Sequence, residues 1–370
     1  MRGGADETVE SRARIEQAVS DAVAHHLETE LGDRGLLLTA DGLAAAEAEA
    51  AQHGARLLTC VIQRCYPIGR QGRTLAFEFA SERDAARLAA ALEFGAVTAR
   101  VLAPSRRDSE PAGSVELLCA VFNLGIGLVD GLCDEDPETG GALLELVHRQ
   151  DLVKAAEEPR GRGWLRATVP PALAEDHTAA FTVDIIETFF ETFHAVYPDD
   201  AWLRHRRGLG TQLEAALEAE RQSVIRSADR TAREQLIEFS RLTSVIPFQI
   251  IETLAGGTYA ADDRSAATLL GEAMWRIDDL VDLCQDARNG ALNGVLLAAA
   301  EEPERDAVAA LERLLASTDL AGVAQEAAES LLAGLQPPGG GRVTAQDHQP
   351  SRSFLYFIQR YAGIAPRRTS

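Results

Sequence analysis

Apolar residues recur at helical spacing along most of the chain. Glu82–Leu102, Thr139–Ala156, Phe181–Tyr197, Thr211–Gly257 and Arg305–Thr318 each place them three and four apart, which predicts amphipathic helices. Alternation of the kind a strand needs is confined to the short "RTLAFEFA" of Arg73–Ala80. The pattern therefore predicts an all-α protein with about ten or more helices. It breaks at Pro104–Gly113, Glu157–Gly163, Tyr197–Asp200 and, longest and richest in Gly and Pro, Gln336–Ser353. No break separates segments of different composition and no internal repeat stands out. The expected organisation is one α-helical domain over residues 13–370, with residues 1–12 disordered and a flexible 336–353 loop ahead of a C-terminal helix.

Composition narrows the function classes. The 370 residues are 46% hydrophobic and 5% aromatic, enough for a large core. A formal charge of −21 repels phosphate backbones, so nucleic-acid binding is not expected, and an anionic substrate would need local cations. Cysteines 60, 65, 119, 133 and 284 form no CxxC pair and have no His pair nearby. Reduced thiols in a cytoplasmic protein are expected, rather than disulfides or structural zinc. "MRGGADETVESRAR" holds no apolar signal core, and no uninterrupted apolar run approaches the ~20 residues that span a bilayer, so no stable membrane insertion is expected.

Two acidic clusters carry the candidate chemistry. In "AMWRIDDLVDLCQDARNGALN" (Ala273–Asn293), a helix makes Asp278, Asp282 and Asp286 successive i, i+4 neighbours, with Asn289 and Asn293 on nearly the same stripe. Met274, Ile277, Val281 and Cys284 form the adjacent apolar stripe. Like charges at i, i+4 destabilise a helix by roughly 0.2–0.5 kcal/mol per pair, and carboxylates one turn apart suit octahedral magnesium that also holds substrate phosphates. The plainer reading is a solvated face screened by Arg276 and Arg288, with "RNG" as a C-cap. Upstream, the apolar run from Ser114 ends in Asp130, Asp134, Glu135 and Asp136, with Gly125, Gly127 and Gly131 inside the helical pattern. Each glycine costs about 0.8–1.0 kcal/mol relative to Ala, so close approach of another helix or of a ligand is expected there. Facing one another, the two helices would form a metal clamp at the mouth of an apolar cavity.

"LLGEAMWRIDDLVDLCQD" (Leu269–Asp286) resembles the second aspartate-rich motif of class I isoprenoid synthases, in the form found in trans-polyprenyl synthases. "LVDGLCDE" (Leu128–Glu135) is similar to the first aspartate-rich motif. "SRLTSVIPFQIIETLAGG" (Ser240–Gly257) resembles the preceding helix with its basic residue and Thr, here Arg241 and Thr243. "FIQRYAG" (Phe357–Gly363) resembles the Arg-Tyr pair of bacterial terpene synthases. The resemblance runs from about residue 115 to the C-terminus. It implies a terpenoid-synthase-like helical bundle around a central apolar cavity, ionising an allylic prenyl diphosphate of C15–C20 and releasing diphosphate with Mg2+ as cofactor. Asp130 and Asp134 on one side, and Asp278, Asp279 and Asp282 on the other, would bind metal, with Asp286 as an outer member. Arg241, Arg360 and Tyr361 would hold the diphosphate, the last two arriving as the C-terminal segment closes. A homodimer is compatible with the resemblance.

The first motif begins with one Asp rather than two and lacks the paired arginines of chain-elongating synthases. The Asn/Ser/Glu triad of typical terpene cyclases is replaced by DDxxD, and Arg70 and Arg73 only faintly match a basic isopentenyl-diphosphate motif. A prenyltransferase and a non-catalytic partner subunit of the same fold are therefore carried as alternatives, while the absence of EF-hand spacing weighs against a calcium protein. Phe181, Phe189, Phe193 and Tyr197 are candidates for a cation-lining aromatic wall or for plain core. Trp275, one turn before Asp279, has the same two readings. His194, His205 and the "RHRRG" run (Arg204–Gly208) are read as phosphate contacts or, preferably, as a solvated loop.

Overall fold

The computed structural model describes residues 3–66, 82–103, 112–198, 203–224, 233–256, 265–299, 307–336 and 348–367. In chain order the helices are α1 (Gly3–Asp33), α2 (Ala40–Cys65), α3 (Glu82–Leu102), α4 (Ala112–Glu135), α5 (Pro137–His148), α6 (Leu152–Glu157), α7 (Pro171–Glu175) and α8 (His177–Val196). They continue with α9 (Leu203–Val224), α10 (Arg233–Gly256), α11 (Ala266–Val281), α12 (Leu283–Asn289), α13 (Gly294–Ala299), α14 (Ala307–Ala316), α15 (Asp319–Leu335) and α16 (Gln349–Tyr361). Among the described residues there is no strand; one isolated bridge joins Thr39 to Arg367. The chain is all-α, as the apolar spacing predicts. The strand candidate at 73–80, with Arg70 and Arg73, lies outside the described residues.

The chain divides into two compact units. One comprises Met1–Leu43, Arg226–Val245 and Asp263–Ser370; the other comprises Ala44–Ile225 and Ile246–Asp262. The division falls inside α10, next to Pro247, which has no N–H to give to the carbonyl one turn back.

In the first unit α11 lies on α15, and α1 packs on α14 and α15. Leu270, Ile277, Ala324, Ala327, Ala328 and Leu331 are buried there. A Cβ on Gly271 would stand 2.7 Å from Val245 Cα, so α10 and α11 touch almost backbone to backbone. α1 begins at Gly3, inside the stretch expected to be disordered. Its Glu16 accepts from Arg12 one turn away and from Arg288 of α12, both at 3.0 Å, which ties the helix down. At the other end residues 337–347 of the expected 336–353 loop lie outside the described residues; α16 starts at Gln349 with Pro350 in its first turn, and Ser351 and Ser353 are buried. Proline suits that position because its missing N–H has no intrahelical partner in any case.

In the second unit α4 is the central helix, packed by α3, α5 and α8, while α6 lies on α9. By length and mean hydropathy (1.8), Val115–Glu135 of α4 passes as a bilayer-spanning segment, although no uninterrupted apolar run is that long. Half of that window is buried inside the structure. Aspartates start the adjoining helices: Asp136 accepts from Thr139 N at 3.3 Å, Asp151 from Lys154 N and Asp176 from Ala179 N, both at 2.7 Å. The "RHRRG" run corrects the loop expectation, for it is the first turns of α9. Arg206 is buried and donates to the Tyr197 and Glu157 carbonyls at the ends of α8 and α6. A guanidinium suits two helix C-termini, where unpaired carbonyls concentrate negative potential.

Close approach occurs at glycines other than those singled out in the sequence. A Cβ on Gly95 would meet the Cys119 carbonyl at 2.6 Å, and one on Gly210 would meet Val153 Cα at 2.5 Å. At Gly127 a Cβ would meet nothing within 4 Å. Gly210→Ala is therefore expected to destabilise by about 1–3 kcal/mol through overpacking. Gly127→Ala is expected to stabilise by up to about 1 kcal/mol through helix propensity. Urea unfolding of the two variants, followed by circular dichroism, checks the opposite signs.

Candidate functional site

The second acidic motif does not continue as one straight helix. α11 ends at Val281, and Asp282 (φ −91°, ψ 2°) is both its C-cap and the residue before α12. Asp282 N still bonds Asp278 O at 2.9 Å and Asp286 N bonds Asp282 O at 2.8 Å, so the carboxylates stay one turn apart. α12 then closes at Gly290, whose φ of 64° is the left-handed C-cap expected from "RNG". That turn takes Asn293 off the expected stripe. Asn293 folds back, buried, and its amide donates to Asp279 O and to Asp286 Oδ2, both at 2.8 Å.

The four aspartates consequently have different surroundings. Asp278 is exposed and Asp282 half-buried, and both meet one phenol: Tyr361 Oη lies 2.5 Å from Asp278 Oδ1 and 2.9 Å from Asp282 Oδ2. Asp279 points the other way. It is buried, its Oδ2 accepts from Gly294 N at 2.9 Å, and it serves as the acceptor at the start of α13. Burial, followed by the charge of Asp278, raises its pKa well above the usual carboxylate range, against the lowering effect of the Gly294 and Val295 N–H groups. Asp286 is held by Asn293. Of the residues proposed for metal, Asp278 and Asp282 form the convergent pair in this unit.

The basic and aromatic candidates divide similarly. Arg241 stands on α10 between Glu238 (2.8 Å) and Glu272 of α11 (3.1 Å), and the Glu238 hydrogen bond leads the effects that raise its pKa. Trp275 donates from Nε1 to Ser240 Oγ at 2.9 Å and carries the Arg276 guanidinium 5.2 Å above its ring. It lies against Gly294, where a Cβ would come within 2.8 Å of the indole. Arg360 is exposed beside Tyr361 at the end of α16. The expected arrival of Tyr361 by closure of the C-terminal segment is corrected: α16 already seats it on the acidic pair.

The second unit contains an apolar pocket with about 690 Å³ of space between atoms, counted to its open mouth. Its wall includes Phe122, Ile126 and Val129 of α4, and Ile185, Phe189 and Phe190 of α8. Phe189 anchors the aromatic side, with ring centroids 5.1 Å from Phe190 and 5.7 Å from Phe122. Phe181, Phe193 and Tyr197 are buried as well; none of the three lines the pocket. Gly125 is in the wall, and a Cβ there would make only ordinary contact, 3.6 Å from Ile185. Of the α4 glycines Gly125 alone lines the pocket, while a Cβ on Gly131 would stand 3.5 Å from Arg87 and one on Gly127 would meet nothing within 4 Å. His194 is tied to the Ala155 carbonyl, and its pKa is lowered first by burial.

One acid lines this pocket, and it was not foreseen: Glu220 of α9. Its carboxyl is pushed up to about 8, first by burial and then by the charges of Asp130 and Asp134 on the last turns of α4. The same two aspartates and Glu220 add to burial in raising the Cys133 thiol to about 12. Asp130 and Asp134 are themselves exposed. A signal existed in the sequence, because Leu209, Leu213, Ala216 and Glu220 share one helical stripe and the last is the only charged member. Asp136, the last acid of that cluster, is an N-cap instead.

Among the described residues, no three His, Cys, Asp or Glu side chains converge as a ready-made metal cage. In comparisons with known proteins, no family model matches the chain and no curated protein is significantly similar to it.

Two measurements follow from these surroundings. Asp279→Ala, which leaves buried N–H groups without their acceptor, is expected to cost about 1–3 kcal/mol. Asp278→Ala at the surface should stay within about 0.5 kcal/mol, and thermal unfolding of both variants separates the roles. For Glu220, the folded chain holds the proton more tightly than the ordinary value of 4.5 would allow, so its contribution to stability is full below pH 4.5 and is lost as pH rises through about 8. Glu220→Gln cannot ionise. Its melting temperature relative to the unaltered protein should climb across that window, as scanning calorimetry at several pH values would read.

Proposed function

We propose that the chain is a Mg2+-dependent class I isoprenoid synthase, which ionises an allylic prenyl diphosphate and guides the resulting carbocation to a cyclised or rearranged product. The observation that carries the proposal is the convergence of Asp278 and Asp282, one turn apart, on a single oxygen-sized point held by Tyr361 Oη. Two carboxylate oxygens aimed at one point fit a hard octahedral cation, which commonly takes one or two carboxylates and fills its other positions with water and phosphate oxygens. A bound magnesium would supply Lewis-acid stabilisation to the departing diphosphate.

The chain's own residues supply the rest. Asp278 and Asp282 hold the ion on the first unit, with Asp286 and Asn293 bracing the turn behind them. Asp130 and Asp134 of the second unit are the residues that match the other aspartate-rich motif of that family. The guanidinium of Arg360, exposed beside Tyr361, is a donor fork matched to phosphate oxygens. Arg241 stands between Glu238 and Glu272, which compensate its charge. The apolar pocket takes the hydrocarbon part of the substrate and excludes water from the cation. Phe189 and Phe122 offer ring faces to positive charge. Gly125 keeps α4 low in the pocket wall, which supports the ligand reading of that glycine over the packing reading.

Incubation with C10 to C20 allylic diphosphates and Mg2+, read by gas chromatography and mass spectrometry, tests the proposal. Hydrocarbon or alcohol products are expected without isopentenyl diphosphate and none in excess EDTA. Asp278→Asn/Asp282→Asn should lower turnover by about 10²-fold or more. Elongated diphosphates formed only with isopentenyl diphosphate would make the chain a prenyltransferase. Turnover that survives both the chelator and the double variant would overturn the metal reading.

A further inference from the structure

Tyr361 occupies the point on which Asp278 and Asp282 converge, and its surroundings hold it there. The residue ends α16, and the chain leaves it through Gly363 at φ 63°. Ile364 N then bonds Gln359 O at 3.0 Å, and Arg367 N bonds Leu38 O at 2.9 Å. Gln359 Oε1 in turn accepts from Leu38 N at 2.7 Å. The backbone on either side of Tyr361 is thereby anchored within its own unit, while the side chain remains 41% exposed. With the backbone anchored, release of the phenol from the two carboxylates falls to rotation about its own side-chain bonds.

The contact is chemically a placeholder for a cation. A phenol has one proton to donate, yet two carboxylate oxygens lie 2.5 and 2.9 Å from its oxygen. The single O–H dipole relieves part of the repulsion between neighbouring carboxylates, whereas a divalent ion at the same point would relieve far more. The oxygen and the ion need the same space, so they compete.

We propose that Tyr361 is a latch on the acidic pair: its hydroxyl must leave Asp278 and Asp282 before a divalent cation can bind them, so the latch sets the apparent metal affinity of this motif. The proposal rests on the reading of Asp278 and Asp282 as metal ligands. It adds that the tyrosine works against the metal at this step, whatever it later does for the substrate. When the competent form is only a fraction of the population, apparent affinity falls by that fraction. Removing the hydroxyl should restore it.

The test is titration of the full chain with Mn2+ alone, with free ion read by electron paramagnetic resonance. Tyr361→Phe keeps the ring and deletes the competing oxygen, and should bind Mn2+ about tenfold more tightly, the worth of a hydrogen bond to a charged group. Asp278→Asn/Asp282→Asn should lose that binding. A second readout needs no variant. In the unaltered chain, saturating Mn2+ should speed nitration of Tyr361 by tetranitromethane several-fold, as peptide mass spectrometry would follow. Unchanged affinity in Tyr361→Phe, or nitration indifferent to Mn2+, with the double Asn variant still losing the ion, would overturn the latch and leave the metal reading standing. Mn2+ binding that the double Asn variant retains would overturn both.

Discussion

A carboxylate beside an apolar helix face must find a proton, a donor or a cation, and that requirement organises this molecule more than any other. The chain carries 57 acidic residues against 36 basic ones, so arginine and lysine cannot answer them all. Each of the acids at issue meets the requirement differently. Asp136, Asp151 and Asp176 take backbone N–H groups at helix starts. Asp279 takes the start of α13, Asp286 takes the Asn293 amide, and Glu220 keeps its proton to an unusually high pH. Asp278 and Asp282 share one phenol, whose single proton serves two anions. It is at that pair that two carboxylates one turn apart converge on a single point near solvent.

The two units solve complementary problems. The second sets apolar surface aside: α4 and α8 face one another across a pocket walled by Phe122, Phe189 and Phe190, with small residues on α4 where bulk would fill it. Backbone-close contacts at Gly95 and Gly210 join α3 to α4 and α9 to α6 in the same unit. The first unit sets charge aside. Its turns at Gly290 and Gly363 bring the acidic pair of α11, the Asn293 brace and the end of α16 together.

Much of the fold was legible in the chain. Apolar spacing marked α3, α8 and the α9–α10 region, and "RNG" marked the end of α12. Prediction strayed where a local signal had two physical meanings. Glycines inside α4 signalled close approach, but the close approaches occur at Gly54, Gly95, Gly140, Gly210 and Gly271, whose helical context looked ordinary. "RHRRG" read as a solvated loop because four of its five residues are basic or titratable, yet Arg206 is drawn inward by two helix C-termini. The acidic stripe was extended through Asn293 on the assumption of unbroken helical period, and the left-handed Gly290 ended that period three residues sooner.

By itself the sequence determined the all-helical character, the acidity and the identity of the aspartate-bearing helix, because period and composition are local properties that any packing must respect. Only the tertiary structure decided which aspartates act together. Asp278, Asp279 and Asp282 are chemically identical in the sequence, and one turn of helix distributes them between solvent and core. The difference comes from what packs against each face: α13 and Asn293 behind Asp279, and the phenol of a residue 83 positions away in front of Asp278. Such partners meet only when the chain has folded, so no reading of a single helix can assign them.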